Sequence, residues 1–468
     1  MAAGRFDEAA AIYARIASAL PNDAGMLMNL GMAQSMAGHP GESIAPLERA
    51  VKLNPSLTPA WLFLGIAHVE LDEPEQAIAP LGKVLSLDPS HVRARQMLAR
   101  ALVTVGRFDE SVPHFRRAAE LEPTRPAAWY ALGRAYAAQS RAAYDALRQA
   151  APQSPYLFVL AADTLAKQRR HAQAFHLYRR ALEARPDLPG VRDAVAEIYR
   201  ATGHSDWARE EIEGAKQAPP PDCRSARSAC EFVRGDYDAA IAAARGRDDP
   251  ESRYWTARAY DRLASRAFFR LGQLPPSTEL HQLRASAYRD EGRYVDAVDE
   301  LRRAAKLAPT DRSVQRELAI ALYLSRDYEG ARVLLSDLVE RNPRSPELAF
   351  FYGDALLQSE RVGDAIAMLK RAIELDAAET RARAALGRAY VLNGEAQQAI
   401  PHLKAVLGED DDGSLHYQLA RAYQMAGETD QARELLQKSE DIRKAAEARQ
   451  RDRGEDLQIT PPRTPPSS

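Results

Sequence analysis

The sequence lacks most of the features on which catalysis or cofactor chemistry is built. It has two cysteines in 468 residues, so neither disulfides nor zinc ligation can be a general source of stability. It has no apolar run of 18 or more residues, which excludes an ordinary transmembrane helix and any expectation of membrane insertion. There is no G-x-x-x-x-G-K-[ST] phosphate loop, no G-x-G-x-x-G in a strand-turn-helix setting and no G-x-S-x-G elbow. Strand patterns are absent too. A marked excess of positive or negative charge is missing as well. With 63 basic and 65 acidic residues the net charge is −2, which argues against a nucleic-acid partner engaged along the whole chain. No cofactor, metal or catalytic constellation is expected.

What is present is a repeat. One stretch reads Trp61-Leu62-Phe63-Leu64-Gly65, then Ala67-His68, Ala77, Leu81 and Asp88-Pro89. It resembles the tetratricopeptide signature W-x2-L-G-x2-Y…A-x3-F…P, with His68 for the tyrosine and Leu81 for the phenylalanine. A second copy, Trp129-x2-Leu132-Gly133-x2-Tyr136, matches the start of the signature more fully. Pro55 to Pro89 is 34 residues, and Pro89 to Pro123 is 34 again. The resemblance implies helical hairpins, each of a helix A and a helix B, that complete their cores by stacking on neighbours. The expected fold is therefore an all-α, right-handed solenoid of about thirteen hairpins plus an N-terminal half repeat. The resemblance also implies a binding scaffold rather than an enzyme.

Along the chain, an N-terminal block at 1–218 holds the half repeat 4–23, repeats 24–57, 58–91 and 92–125, a short unit 126–154, and repeats 155–188 and 189–218. A break with Pro219-Pro220-Pro221 and a degenerate hairpin fill 219–250, since three prolines cannot be helix interior. A second block at 251–446 holds a short unit 251–277 and repeats 278–311, 312–345, 346–379, 380–412 and 413–446. A polar capping helix and a disordered proline-rich tail are expected over 447–468.

The two short units match each other. Tyr136 to Pro152 and Tyr260 to Pro276 are each 16 residues, against 21 from His68 to Pro89. Five residues are thus missing around the turn between helices A and B, leaving either one longer helix or two with a tight junction. Arg134-Ala135-Tyr136 aligns with Arg258-Ala259-Tyr260 at an offset of 124. The shared deletion points to duplication of a multi-repeat block, with the deletion bending the superhelix. At the other end, Gly4 to Ala9 matches the turn and helix B of a repeat whose helix A is missing. The expectation is a start lying upstream, where a leader could also precede, or else a lone capping helix.

Other candidates are weaker. Cys223 and Cys230 are seven residues apart, about 10 Å on a continuous helix, too far for a disulfide. Cys223 adjoins the prolines, however, so reduced thiols and a disulfide both stay open. His171 and His176 face different directions on a helix and make a poor metal pair. Glu409 to Asp412 is a carboxylate cluster without EF-hand spacing, best read as a solvated loop favouring the helix that starts near Ser414.

The resemblance also implies where a ligand would lie. In this family helix A lines the concave groove, chiefly through its second, fifth, ninth and twelfth positions. The early repeats place Met28, Met32, Leu62, Ile66 and Val69 there, an apolar lining. Farther on come Arg100, Tyr130 and Arg134, able to hold an acidic peptide. Late repeats contribute Tyr323, Asp354 and Arg388 among others. The Lys and Asn clamp that some members use for chaperone tails is not matched, since its positions hold Met28 and Met32, Leu62 and Ile66, or Gln96 and Arg100. The reading is a scaffold or adaptor with a protein or peptide partner. The alternative is a sensing or targeting arm of an enzyme system, such as a glycosyltransferase or protease, whose catalytic part lies on another chain or upstream of Met1.

Overall fold

The computed structural model describes residues 4–217, 220–455 and 458–462. Among the described residues there are 25 α-helices and no strand, the arrangement expected of an all-α repeat solenoid.

The hairpin Thr58–Glu70 and Pro74–Leu87 shows how the sequence makes each unit. A proline opens each helix within its first turn, where its missing N–H costs nothing. Between them the chain reverses at Asp72, whose φ is 60°. The amide of Glu73 then donates to the carbonyl of His68 at 2.9 Å, closing the end of helix A. The helices approach closely because Gly65 has no side chain. A Cβ there would lie 2.6 Å from Leu81, which is itself completely buried.

The left-handed turn residue recurs at the repeat period. It falls at Gly38, Asp72 and Gly106, at Arg169 and Gly203, and at Gly292, Arg326, Glu360, Gly394 and Gly427. Glycine is favoured because a Cβ in this conformation meets the following carbonyl. A second recurring device explains the signature tryptophan. Trp61 donates its indole N–H to the carbonyl of Pro55 at 2.9 Å, and Trp129 does the same to Pro123 at 2.8 Å. Arg95, Gln315 and Arg383 stand at the same place and donate to Pro89, Pro309 and Ala377. Where this position carries a long donor, it ties helix A to the end of the preceding repeat.

The described contacts divide the chain into two compact units. The first holds residues Met1–Leu160 and Pro219–Pro275, the second Ala161–Ala218 and Pro276–Ser468. The units therefore interleave in sequence, whereas the motif reading expects successive blocks at 1–218 and 251–446.

In the first unit, each short repeat is one unbroken helix, Pro126–Ala150 and Pro250–Gly272. Deleting the turn removes the reversal, so each helix B continues straight out of its helix A. The two long helices then pack antiparallel on each other. The equivalent tyrosines Tyr136 and Tyr260 meet with ring centroids 6.1 Å apart. Ser140 donates to the carbonyl of Ala257 at 2.9 Å, and Arg253 to the carbonyl of Ala146 at 3.0 Å. Phe268 lies eight residues before Pro276, as Leu81 lies eight before Pro89. It fills the space beside Gly133 that a helix B leucine fills in a regular hairpin. The two straightened units have exchanged their helices B, by the same logic that produces domain-swapped dimers.

Two further outcomes belong to this unit. Cys223 and Cys230 form a disulfide with Cα atoms 5.6 Å apart, which decides against reduced thiols. The chain turns after Asp222, whose carbonyl accepts from the amides of Ser225 and Ala226, so Cys223 precedes the helix Arg227–Val233 and folds back onto it. The first helix, Gly4–Ala19, occupies the place of a helix B and packs Ala17 into the core beside Leu27 and Leu47.

In the second unit, regular hairpins run from Thr278–Asp290 onward around a continuous core that includes Leu301, Leu335, Leu369 and Leu403, all fully buried. The final helix B and the expected capping helix are one helix, Thr429–Glu455. Residues 458–462 of the expected disordered tail are placed instead: the carbonyl of Thr460 accepts a hydrogen bond from Tyr199. Residues 463–468 lie outside the described residues, as do Ala218 and Pro219 of the proline break.

Candidate functional site

The expected groove residues of the first unit sit on four helices A: Ala24–Met36, Thr58–Glu70, Val92–Thr104 and the first half of Pro126–Ala150. Their environments differ. Met28 and Leu62 are half-buried and packed at the edges of core clusters, Met28 near Leu27 and Leu62 near Leu81. Met32 is half-buried. Val69 is 42% exposed, whereas Ile66 is 5% exposed. Ile66 therefore offers little surface to a ligand. Arg100 and Arg134 are exposed. Arg134 reaches the hydroxyl of half-buried Tyr130 at 3.3 Å, with its guanidinium 5.8 Å from the ring centre. Arg100 has no ion-pair partner among the described residues.

The late repeats are built differently. Tyr323, Asp354 and Arg388 come from three successive helices A and meet. Asp354 is 3% exposed, accepts from the Tyr323 hydroxyl at 2.5 Å and pairs with Arg388 at 2.7 Å. Burial, reinforced by the Asp354 carboxylate, pushes the Tyr323 hydroxyl well above the usual phenol range. Arg316 pairs with Glu347, and Arg381 lies over Phe350 with 4.6 Å from its guanidinium to the ring centre. These groups satisfy one another, so this face spends its polar capacity on joining repeats.

The remaining sequence candidates are structural. Asp410 accepts from the amides of Gly413 and His416, each at 2.9 Å, and from the His416 ring at 2.6 Å. Asp412 accepts from the Ser414 amide at 2.9 Å. The carboxylate cluster therefore caps the helix Ser414–Met425. Among the described residues no group of three or more His, Cys, Asp or Glu side chains could hold a metal ion, and no helix is long and apolar enough to cross a membrane.

One arrangement in the second unit escaped sequence reasoning. Glu211, 1% exposed, lies 2.8 Å from a nitrogen of Arg192 and 3.8 Å from one of Arg179. Beside it, Tyr199 contacts Phe175 and Trp207, with ring centres 5.5 and 5.6 Å away, and His204 stacks on Trp207 at 4.1 Å. The signal in the sequence was three aromatic side chains, Tyr199, His204 and Trp207, within nine residues at the end of the last repeat before the prolines.

Tetratricopeptide repeat models match residues 288–352, 356–415 and 391–450, and a second such model matches 1–58 and 97–143. Together these spans cover more than half of the chain, which belongs to the tetratricopeptide repeat family. Members of this family are protein-interaction scaffolds. Solved structures similar to the chain include MamA MSR-1 C2, at 22% identity and a TM-score of 0.33, covering 36% of this chain and 98% of that one. TTC0263, a thermophilic tetratricopeptide protein of Thermus thermophilus, is 21% identical with a TM-score of 0.31, covering 39% and 99%. YrrB, described as a tetratricopeptide protein with an unusual peptide-binding site, is 16% identical with a TM-score of 0.25, covering 49% and 96%. No curated protein matches the chain.

Proposed function

We propose that the chain is a non-catalytic scaffold that holds a protein or peptide partner on the helix A face of its first unit. The observation that carries this reading is a contrast between the units. In the first, Val69, Arg100 and Arg134 are exposed on successive helices A, and Met28, Met32 and Leu62 border them. In the second, the corresponding Tyr323, Asp354 and Arg388 are closed on each other. A surface with exposed Val69 and half-buried Met28, Met32 and Leu62 beside exposed guanidinium groups suits a segment that carries both apolar anchors and carboxylates. The methionines adapt to an apolar side chain, and the arginines orient the acidic groups.

The test is affinity capture of partners with full-length protein and with Val69→Asp and Arg100→Glu. Both positions are exposed, so circular dichroism should be unchanged while the recovered partner falls at least tenfold. Partner recovery that is insensitive to both changes would remove this face from consideration. Ile66→Asp is unsuitable, because a buried charge would unfold the repeat.

A further inference from the structure

Tyr199 stands in its helix A where His68 stands in an earlier one. In a continuing solenoid the next helix A covers this position. Here Pro219-Pro220-Pro221 follows the hairpin, so the chain does not continue directly into another helix A. Tyr199 is nonetheless fully buried, and its hydroxyl donates to the carbonyl of Thr460 at 2.6 Å. The two residues are 261 positions apart. Burial pushes the Tyr199 hydroxyl up to about 12, so it stays a donor throughout the neutral range.

The segment Gln458-Ile459-Thr460-Pro461-Pro462 is suited to this role. Two of its residues, Thr460 and Pro461, each precede a proline, which biases them toward extended or polyproline conformations. The segment is non-helical; Ile459 and Pro462 are half-buried, while Gln458, Thr460 and Pro461 are exposed. Burial at a spacing of three is that of a polyproline helix lying on one face, and such a helix leaves its carbonyls free to accept. Aromatic surfaces that offer a hydrogen-bond donor are the usual receptors for it.

We propose that the aromatic face of Tyr199, His204 and Trp207 is a binding site for extended, proline-containing peptides, and that the chain's own segment Gln458–Pro462 occupies it in cis. The site is separate from the helix A face of the first unit and does not depend on it. A tethered segment acts at a high effective concentration, so a competing peptide in trans must overcome it.

The experiment is fluorescence anisotropy with a fluorescein-labelled peptide reproducing residues 457–464. It is titrated with the full-length chain and with the full-length variant Ile459→Asp/Pro462→Asp, whose substitutions lie in the tail and leave the repeats intact. The variant, with its site vacated, should bind the peptide at least tenfold more tightly than the parent chain. Adding Tyr199→Phe to that variant should weaken binding about fivefold, the effect of one hydrogen bond, with an unchanged circular dichroism spectrum. Equal binding by both chains, or none by either up to millimolar concentration, overturns the proposal. A concentration-dependent dimer of the parent that the tail variant abolishes also overturns it, by placing the tail on a second copy.

Discussion

Phe268 fills the space that a side chain on Gly133 would need: a Cβ on that glycine would lie 2.3 Å from the phenylalanine ring. In a regular hairpin the equivalent contact is internal, as between Gly65 and Leu81 at 2.6 Å. Here it joins two units whose turns are deleted, and it marks the exchange of their helices B.

Gly133→Val should therefore destabilise the first unit by about 2 kcal/mol or more, through overpacking against an aromatic ring on another helix. Gly82, also helical, has nothing within 4 Å of its Cβ position. Gly82→Ala should instead stabilise by ~0.5–1 kcal/mol. Urea unfolding of both variants checks the difference in sign.

The left-handed turns make a second prediction. Arg326 and Glu360 have φ of 66° and 62°, where a Cβ is unfavourable. Replacing either with glycine should raise stability by ~0.5–1 kcal/mol. Gly292→Ala, at φ 73°, should lower it by about 1 kcal/mol or more. Thermal melts of the three variants decide it.

The Cys223–Cys230 disulfide closes a short loop, with a sequence separation of 7. Loop-closure entropy predicts that reduction, or replacement of both cysteines by serine, costs about 2.5 kcal/mol. Melting with and without a phosphine reductant should show this loss in the parent chain and none in the double-serine variant. Thiol titration of the unreduced, denatured protein should find both cysteines unreactive.

Burial by itself would raise the Asp410 carboxyl, but hydrogen bonds from the His416 ring and amide and from the Leu415 amide outweigh it and hold the group below the usual carboxylate range. A lowered folded-state value stabilises above the unfolded value of about 4, and that contribution is lost as pH falls below it. Asp410→Asn should thus lower stability by ~1–2 kcal/mol at pH 7. It should also flatten the stability profile below about pH 4. Urea midpoints measured from pH 7 to pH 2 test the sign.

Removing the carboxylate of Asp354 would leave the Tyr323 hydroxyl without this acceptor and Arg388 without its partner. Asp354→Ala should cost about 3 kcal/mol, the usual consequence of breaking a buried pair from one side. Asp354→Asn, which keeps an acceptor for Tyr323, should cost less. If the alanine variant proved as stable as the parent, the network would not be what joins these three repeats.

The hairpin and its period are legible in the order of residues alone. Gly65, Ala77 and Leu81 lie within one repeat, so the spacing of small and large side chains expresses their contact directly, and the same local rule repeats at 34 residues. The sequence also exposed the five residues missing from each of two units. It did not show what those units do with their straightened helices, nor that Ile66 is buried, nor that the cysteines are joined. Long-range packing brings Ser140 to Ala257, 117 residues away, and Tyr199 to Thr460, 261 residues away. The reason is physical. Helical periodicity specifies which face of a helix is apolar, but every repeat presents nearly the same face. Which copy covers it depends on where the chain reverses and on which exposed ends remain to be filled.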